Sequence, residues 1–158
     1  MQDGYEPESD FLAWVISGDV PLVGNPLADA NFRRVIALMS DKHPANRDWA
    51  TFLVAQEEVD TPEVRAALLA AAQDEEAAVR AEAICGLARL DSALAVPLIR
   101  AELQSTGVLI GVFEAAALVA DPSLVSDLRP FASDLTDDWI SQSVVEAINA
   151  CERRTTTA

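Results

Sequence analysis

The segment DKHPANRDWA, residues 41–50, is followed 33 positions later by DEEAAVRAEA, residues 74–83. Each copy has an Asp at its first position, an Arg six residues later and an Ala three residues after the Arg. A fixed period of this length is typical of chains built from stacked helix pairs. Such stacks mostly present extended surfaces to other macromolecules. The repeat therefore predicts an all-α chain of helix pairs and favours a binding role.

Sequence signals for helix starts divide the rest of the chain at similar intervals. Asp60 precedes a Thr and Pro62, Asp121 precedes Pro122, and Asp91 precedes a Ser. Asp and Thr accept the unpaired N–H groups of a first helical turn, and Pro fits the first helical position. With the apolar spacing, these signals predict helices at about residues 9–17, 26–39, 44–56, 62–73, 77–90, 93–104, 108–120, 123–131 and 136–151.

These helices predict a simple organisation. Residues 1–25 form an N-terminal capping helix and a loop, residues 26–152 form about four helix pairs, and residues 153–158 form a polar, disordered tail. Trp14 and Trp139 are expected to be core residues at the ends of the stack. The last pair is expected to begin at a turn around residue 134.

The two copies, followed by Gly86-Leu87-Ala88, resemble HEAT-like repeats, most closely the short repeats of phycobilin-lyase subunits. The resemblance covers residues 26–152 and is strongest between Asp41 and Asp91. It implies a right-handed α-solenoid, a superhelix of about four HEAT-like helix pairs. It also implies that the repeated Asp and Arg residues form a ladder between neighbouring repeats.

The repeated residues are interpreted as structural. Asp41 and Asp74 stand where they can accept backbone N–H groups at a helix start, and Arg47 and Arg80 can reach a carboxylate of the same or the adjacent repeat. A second group of small residues is predicted to lie at close helix contacts: Ala50, Ala83, Gly86, Gly111 and the run 115–117.

The net charge of the chain restricts the classes of partner that it can bind. Among 158 residues there are 26 acidic and 11 basic ones, a formal net charge of −15. Such a surface repels nucleic acid and anionic membranes, and it attracts a basic protein or peptide. With two cysteines, no apolar run that could span a bilayer and no basic N-terminal region, we expect a soluble, cytoplasmic protein and a monomer.

The search for chemistry finds no catalytic set. His43 precedes a Pro in a turn, and neither it nor Cys85 and Cys151 shows metal-ligand or nucleophile spacing. The acidic clusters 74–76 and 137–138 lack the glycine and the spaced oxygens of a calcium loop. We therefore expect no catalytic residue, no metal and no cofactor.

A surface is the remaining functional signal. In stacks of this kind the second helices of the pairs line the concave side, and the register of the repeats places one row of residues there: Trp49, Phe52, Gln56, Glu82, Cys85, Arg89 and Glu114. An aromatic anchor beside carboxylates suits a basic partner with an apolar side chain. Alternatively, Trp49 and Phe52 pack beneath the preceding helix.

Two classes of function follow. The first is a non-enzymatic interaction module that binds a protein or peptide, expected to be basic, on an acidic concave face. The alternative, implied by the resemblance, is a bilin lyase-like protein or another HEAT-repeat accessory subunit of an enzyme.

Overall fold

All regular structure in the described residues is helical, as predicted. The computed structural model describes residues 5–133 and 139–155 of the chain. The helices are α1 (Asp10–Ile16), α2 (Pro26–Leu38), α3 (Pro44–Gln56), α4 (Pro62–Ala71), α5 (Ala77–Leu90), α6 (Ser92–Leu103), α7 (Ile110–Val119), α8 (Val125–Leu128) and α9 (Trp139–Thr155). Their order gives the predicted series of four helix pairs after an N-terminal helix, the architecture of the α-solenoid class.

The helices begin where the sequence supplies a cap. The Asn25 side chain accepts the N–H groups of Leu27 at 2.9 Å and Ala28 at 3.0 Å, just before Pro26 opens α2. Thr61 and Asp91 cap α4 and α6 in the same way. These side chains satisfy donors that a helix start leaves without an intrahelical partner.

The chain forms two compact units, Met1–Gly86 and Leu87–Ala158, which divide within α5. In the first unit the buried apolar residues come from every helix and include Leu12, Val35, Val54, Leu68 and Val79. Ala50 and Ala83 are fully buried, as expected for small residues at helix contacts.

Gly86 marks the closest helix contact of the first unit. A Cβ atom built at this position would lie 2.9 Å from the Ala55 Cβ and 3.1 Å from both terminal methyl groups of Leu68. A larger side chain at this point would force the helices apart. This contact explains why a residue of poor helix propensity lies inside α5.

The second unit is built on α7 and α9. Phe113 is buried and meets Phe131 edge-on, with ring centroids 5.1 Å apart. Ala115 and Ala116 are fully buried, and the Cys151 thiol of α9 donates to the Ala116 carbonyl at 3.7 Å. Ala115 and Ala116 thus allow a close approach of α7 to α9, whereas Gly111 and Ala117, predicted to lie at close contacts as well, are only half-buried.

The last helix pair departs from the prediction. Instead of one helix over 123–131, two 3-10 turns, Pro122–Leu124 and Arg129–Ala132, flank the short α8. Pro130 disfavours continuation of α8, because it lacks an N–H and its ring clashes with the preceding turn. Helix α9 reaches Thr155, three residues into the predicted tail. The predicted turn at residue 134, the start of the last helix at 136 and the acidic pair 137–138 lie outside the described residues.

The two end tryptophans are not core residues. Trp14 is 54% exposed and Trp139 is 82% exposed. In α1 the buried arc is formed by Phe11, Leu12 and Val15, and Trp14 falls outside this arc. In α9 the buried residues follow Val144 at helical spacing, and Trp139 falls outside their arc.

In the two described stretches of chain, every helix is too short or too polar to cross a membrane.

Candidate functional site

Arg47 ties the two copies of the repeat together. Its Nε donates to Asp74 Oδ2 at 2.8 Å and its Nη2 to Asp74 Oδ1 at 3.0 Å, a bidentate pair that is almost buried. Its Nη1 donates to the Asp41 carbonyl at 3.1 Å, and Nη2 also reaches Glu75 Oε1 at 3.3 Å. Arg47 is thus fully engaged in holding the second copy against the first.

The Asp residues of the repeat cap their own turns. Asp41 Oδ1 accepts the His43 N–H at 2.8 Å, and Asp74 Oδ1 accepts the Glu76 N–H at 2.9 Å. The His43 N–H lowers the pKa of Asp41. Burial raises the pKa of Asp74, but the hydrogen bonds from Arg47 and from the Glu76 N–H, together with the charges of Arg47 and Arg80, outweigh it and keep the pKa below the ordinary value. Both carboxylates are therefore held ionised by structural contacts.

Arg80 repeats the backbone contacts of Arg47. Its Nη1 donates to the carbonyls of Asp74 at 2.9 Å and Glu75 at 3.0 Å. The equivalent donors of Arg47 reach Asp41 and Lys42. The repeated Arg therefore closes the turn before its own helix in both copies, which is a structural role.

A cavity of about 380 Å³ lies beside this ion pair in the first unit. Arg47 and Asp74 contribute to its wall, together with residues of α2 and α4: Ile36, Met39, Ser40, Ala67, Ala70 and Ala71. Because its two charged groups bind each other, the cavity presents mainly apolar side chains.

Trp49 and Phe52 form an aromatic pair on α3. Both are half-buried, with ring centroids 6.0 Å apart and planes at 87°, an edge-on arrangement. The indole N–H of Trp49 donates to the Tyr5 carbonyl at 2.9 Å. Neither aromatic side chain disappears into the core, so part of each stays available to a partner.

The segment that meets Trp49 is the N-terminal strap, which we define as residues 5–9. At its far end the Ser9 N–H donates to Asn46 Oδ1 at 2.9 Å, and Asn46 Nδ2 donates to Asp41 Oδ1 at 3.1 Å. The strap is therefore fixed to α3 at two points, Asn46 and Trp49.

Asp48 lies on α3 between these two residues in sequence. Only 7% of the residue is exposed, and among the described residues its Oδ1 has no hydrogen-bond partner. Burial raises the pKa of the Asp48 carboxyl. The pKa of Tyr5 is also raised, first by burial and then by the charges of Asp48 and Glu76.

Sequence reasoning missed Asp48, although the repeat contained the signal. Asn46 and Asp48 of the first copy correspond to Val79 and Ala81 of the second. All four are buried, so the second copy fills these two positions with apolar side chains and the first copy with polar ones. A polar residue at a buried repeat position marks either a different neighbour or a site.

The other residues of the predicted binding row differ widely in solvent exposure. Gln56 is exposed on α3 and Glu82 is half-buried on α5. Cys85 is only 6% exposed, so its placement on the binding surface was wrong. Every residue from Ala83 to Ala88 is buried, which leaves this part of α5 without an accessible side. The remaining two residues, Arg89 and Glu114, are exposed and belong to the second unit.

The described residues contain no cluster of three His, Cys, Asp or Glu side chains suited to a metal ion. His43 occupies the cap position before α3 and is half-buried. Burial raises the pKa of Cys151 to about 11, so this thiol stays protonated near neutral pH.

The family of HEAT repeats matches residues 33–107 of the chain, without specifying the phycobilin-lyase type. No curated protein matches it in sequence. Among solved structures, the chain is similar to the X-ray structure of the Escherichia coli protein YIBA, a structural genomics target. The TM-score is 0.62 at 21% identity, and the similarity covers 89% of this chain. The chain spans about half of that structure, 54% of its length, and at this identity the likeness establishes the fold alone.

Proposed function

Because residues 33–107 match the HEAT-repeat family, whose members generally mediate protein–protein interactions or act as scaffolds, we propose that this chain is a non-enzymatic module that binds a basic protein or peptide. We place the binding surface on the α3 side of the first unit. We further propose that the protein acts as a cytoplasmic monomer.

The aromatic pair of Trp49 and Phe52 is the observation that carries this proposal. Half-buried aromatic residues held by their neighbours lose little entropy on binding and dominate many interfaces. The hydrogen bond from Trp49 to the Tyr5 carbonyl fixes one ring of the pair. Gln56 is exposed one turn beyond Phe52 and extends the same helix surface with a polar group.

The charge of the first unit supports a basic partner. Residues 5–86 contain 15 acidic and 6 basic side chains. Two of these basic side chains, Arg47 and Arg80, are already bonded to the turns of the repeat. A surface with this excess of carboxylates raises the rate of encounter with cationic partners and disfavours anionic ones.

The proposal is tested by affinity capture from an extract of the source cells, with two matched baits. Gln56→Lys places a positive charge on the proposed surface, whereas Gln73→Lys places the same charge on an exposed residue after α4. We expect the wild type and the Gln73→Lys bait to retain the same basic protein at about 50 mM salt and to lose it at about 500 mM. The Gln56→Lys bait should retain several-fold less.

The interaction is then measured with the purified partner by calorimetry, with Phe52→Ala as a third variant. We expect a loss of about tenfold in affinity for this truncation of an aromatic anchor. Equal binding by the two Lys variants would refute the location of the surface. Capture of no basic protein, together with stoichiometric binding of an added bilin, would refute the proposed class of function.

A further inference from the structure

The N-terminal strap is held to α3 through its main chain. The Trp49 indole N–H donates to the Tyr5 carbonyl at 2.9 Å, and the Ser9 N–H donates to Asn46 Oδ1 at 2.9 Å. Asn46 and Trp49 lie three residues apart, on the same face of α3. Because both bonds use backbone groups of the strap, these two side chains can hold a segment of suitable shape whatever its side chains are.

The two side chains that bind the strap are not part of the repeat. Asn46 Nδ2 donates to Asp41 Oδ1 at 3.1 Å, which orients the amide so that Oδ1 accepts the strap N–H. In the second copy Val79 and Glu82 occupy the positions of Asn46 and Trp49. A Val side chain accepts no hydrogen bond, and a carboxylate has no N–H to donate to a carbonyl. The repeat therefore folds without this pair of main-chain contacts.

The side chains of the strap add little to its attachment. Glu6 and Glu8 are exposed and form no ion pair with a described residue, in a unit where carboxylates already outnumber basic groups. No strap residue belongs to the buried core, whereas the following α1 buries Phe11, Leu12 and Val15. Lifting the strap therefore breaks two hydrogen bonds and exposes little apolar surface, while α1 stays anchored.

We propose that Asn46 and Trp49 form a main-chain clamp for an extended, Lys- or Arg-rich segment of the protein partner, and that the strap occupies this clamp until the partner displaces it. The proposal rests on the proposed function, because it names the form in which the basic partner meets the α3 surface. A partner carbonyl replaces that of Tyr5 at the Trp49 N–H, and a partner N–H replaces that of Ser9 at Asn46 Oδ1. Because these bonds are exchanged one for one, the advantage of the partner lies in its basic side chains, which the acidic unit attracts.

The first test weakens the strap and leaves the clamp intact. Ser9→Pro removes the N–H that bonds to Asn46, and the backbone of Ser9, at φ −89°, lies near the range of proline. Ser92→Pro is the matched control, because Ser92 is the exposed first residue of α6, where proline fits a helix. An octa-lysine peptide is titrated by calorimetry into each full-length protein. We expect Ser9→Pro to bind it about fivefold more tightly than the wild type, and Ser92→Pro to bind within about twofold of the wild type.

The second test asks whether the clamp recognises main chain. Octa-lysine with N-methylated peptide bonds keeps its charges and loses the N–H groups that Asn46 Oδ1 would accept. We expect the wild type to prefer the unmodified peptide by about fivefold. Asn46→Val, which installs the residue of the second copy, should abolish this preference. A preference that is equal in the wild type and in Asn46→Val overturns the clamp.

Hydrogen exchange of the Ser9 amide, followed by NMR, reports displacement of the strap in the wild-type protein. The bond to Asn46 slows this exchange in the free protein. At saturation with octa-lysine we expect the exchange to become about tenfold faster, because the strap is released. The Ala13 N–H, which donates to the Ser9 carbonyl, should keep its rate and serves as the internal reference.

The outcomes separate the clamp from the proposed function. If octa-lysine binds while the Ser9 amide stays protected, or binds equally to Ser9→Pro and Ser92→Pro, displacement of the strap is overturned and a basic partner for the α3 surface remains. If neither the wild type nor Ser9→Pro binds octa-lysine and no basic protein is captured, the proposed function fails, and the clamp with it. Should Ser9→Pro not fold, Asn46→Val and the exchange of the Ser9 amide still decide.

Discussion

The two copies of the repeat share one backbone geometry and differ in what their second helices meet. In both, an Asp side chain accepts the N–H two residues later, and an Arg six residues on donates to the carbonyl of that Asp. The first copy buries Asn46, which accepts a hydrogen bond from the N-terminal strap, and Asp48, where the second copy buries Val79 and Ala81. The contacts that both copies share stabilise the turn of the repeat. The buried residues that differ between the copies reflect the different elements packed against each copy.

The largest expected loss of stability comes from replacing Arg47, and Arg65 provides the comparison because it forms a similar ion pair in a more exposed position. Arg47→Ala removes the bidentate bond to Asp74 and leaves that nearly buried carboxylate unpaired. We expect a loss of about 3 kcal/mol in the free energy of unfolding, measured by urea titration. Arg65, which pairs with Asp60 at 2.7 Å in a much more exposed setting, is the control.

We expect Arg65→Ala to cost less than about 1 kcal/mol, because exposed ion pairs are screened by water. If the two Arg variants lose the same stability, Arg47 does not hold the copies together in the way the geometry indicates.

A second difference between the copies concerns close packing. Gly86 corresponds to Leu53 in the first copy, where the side chain is half-exposed. Gly86→Ala should destabilise the protein by about 2 kcal/mol, because the new Cβ would lie 2.9 Å from Ala55. This loss exceeds the gain in helix propensity, about 1 kcal/mol. A variant as stable as the wild type in urea would show that the two helices can move apart without cost.

The architecture was predictable because it depends on local and periodic features. The period of 33 residues, the caps and the small residues at helix contacts all act over short stretches of chain. Trp14 and Trp139 were misplaced because hydrophobicity alone does not tell which arc of an end helix has a neighbour. At such ends, the stack offers a partner on one side only.

The candidate site was predictable only in part. Trp49 and Phe52 lie on α3 as the register indicates, but the strap that contacts Trp49 belongs to no repeat. Its position follows from two long-range hydrogen bonds, and the period contains no information about them. The contrast between Asp48 and Ala81 was visible in the sequence, yet its meaning depends on the burial that the fold creates.

A smaller difference in thermal stability is expected between variants of Arg80, the repeated Arg of the second copy, and of Arg89, which is not part of the repeat pattern. Arg80 donates to two backbone carbonyls at the start of its turn, whereas Arg89 lies on the exposed side of α5. We expect Arg80→Ala to lower the melting temperature more than Arg89→Ala, by a difference of about 1 kcal/mol in stability. Circular dichroism at 222 nm follows both transitions. Equal melting temperatures of the two variants would contradict a stabilising role for Arg80.

The last expected effect is an increase in stability. It tests the difference between the copies at Asp48, which corresponds to Ala81. Asp48→Ala should stabilise the isolated protein by about 1 kcal/mol at pH 7, since it removes a buried carboxyl group whose Oδ1 accepts no hydrogen bond from the described residues. The pKa of Asp48 is raised in the folded state by burial, so the penalty is present in full above that raised pKa. It disappears as the pH falls below the ordinary Asp value of about 3.9.

The stability gap between Asp48→Ala and the wild type should therefore shrink between pH 7 and about pH 4, as measured by urea titration at each pH. The depressed pKa of Asp74 makes both proteins less stable in acid, but it cancels in the difference between them. A gap that stays constant with pH would mean that Asp48 is not ionised in the folded protein. A variant that gains stability would show that the fold does not need the Asp48 carboxyl group, as the buried Ala81 at the equivalent position of the second copy indicates.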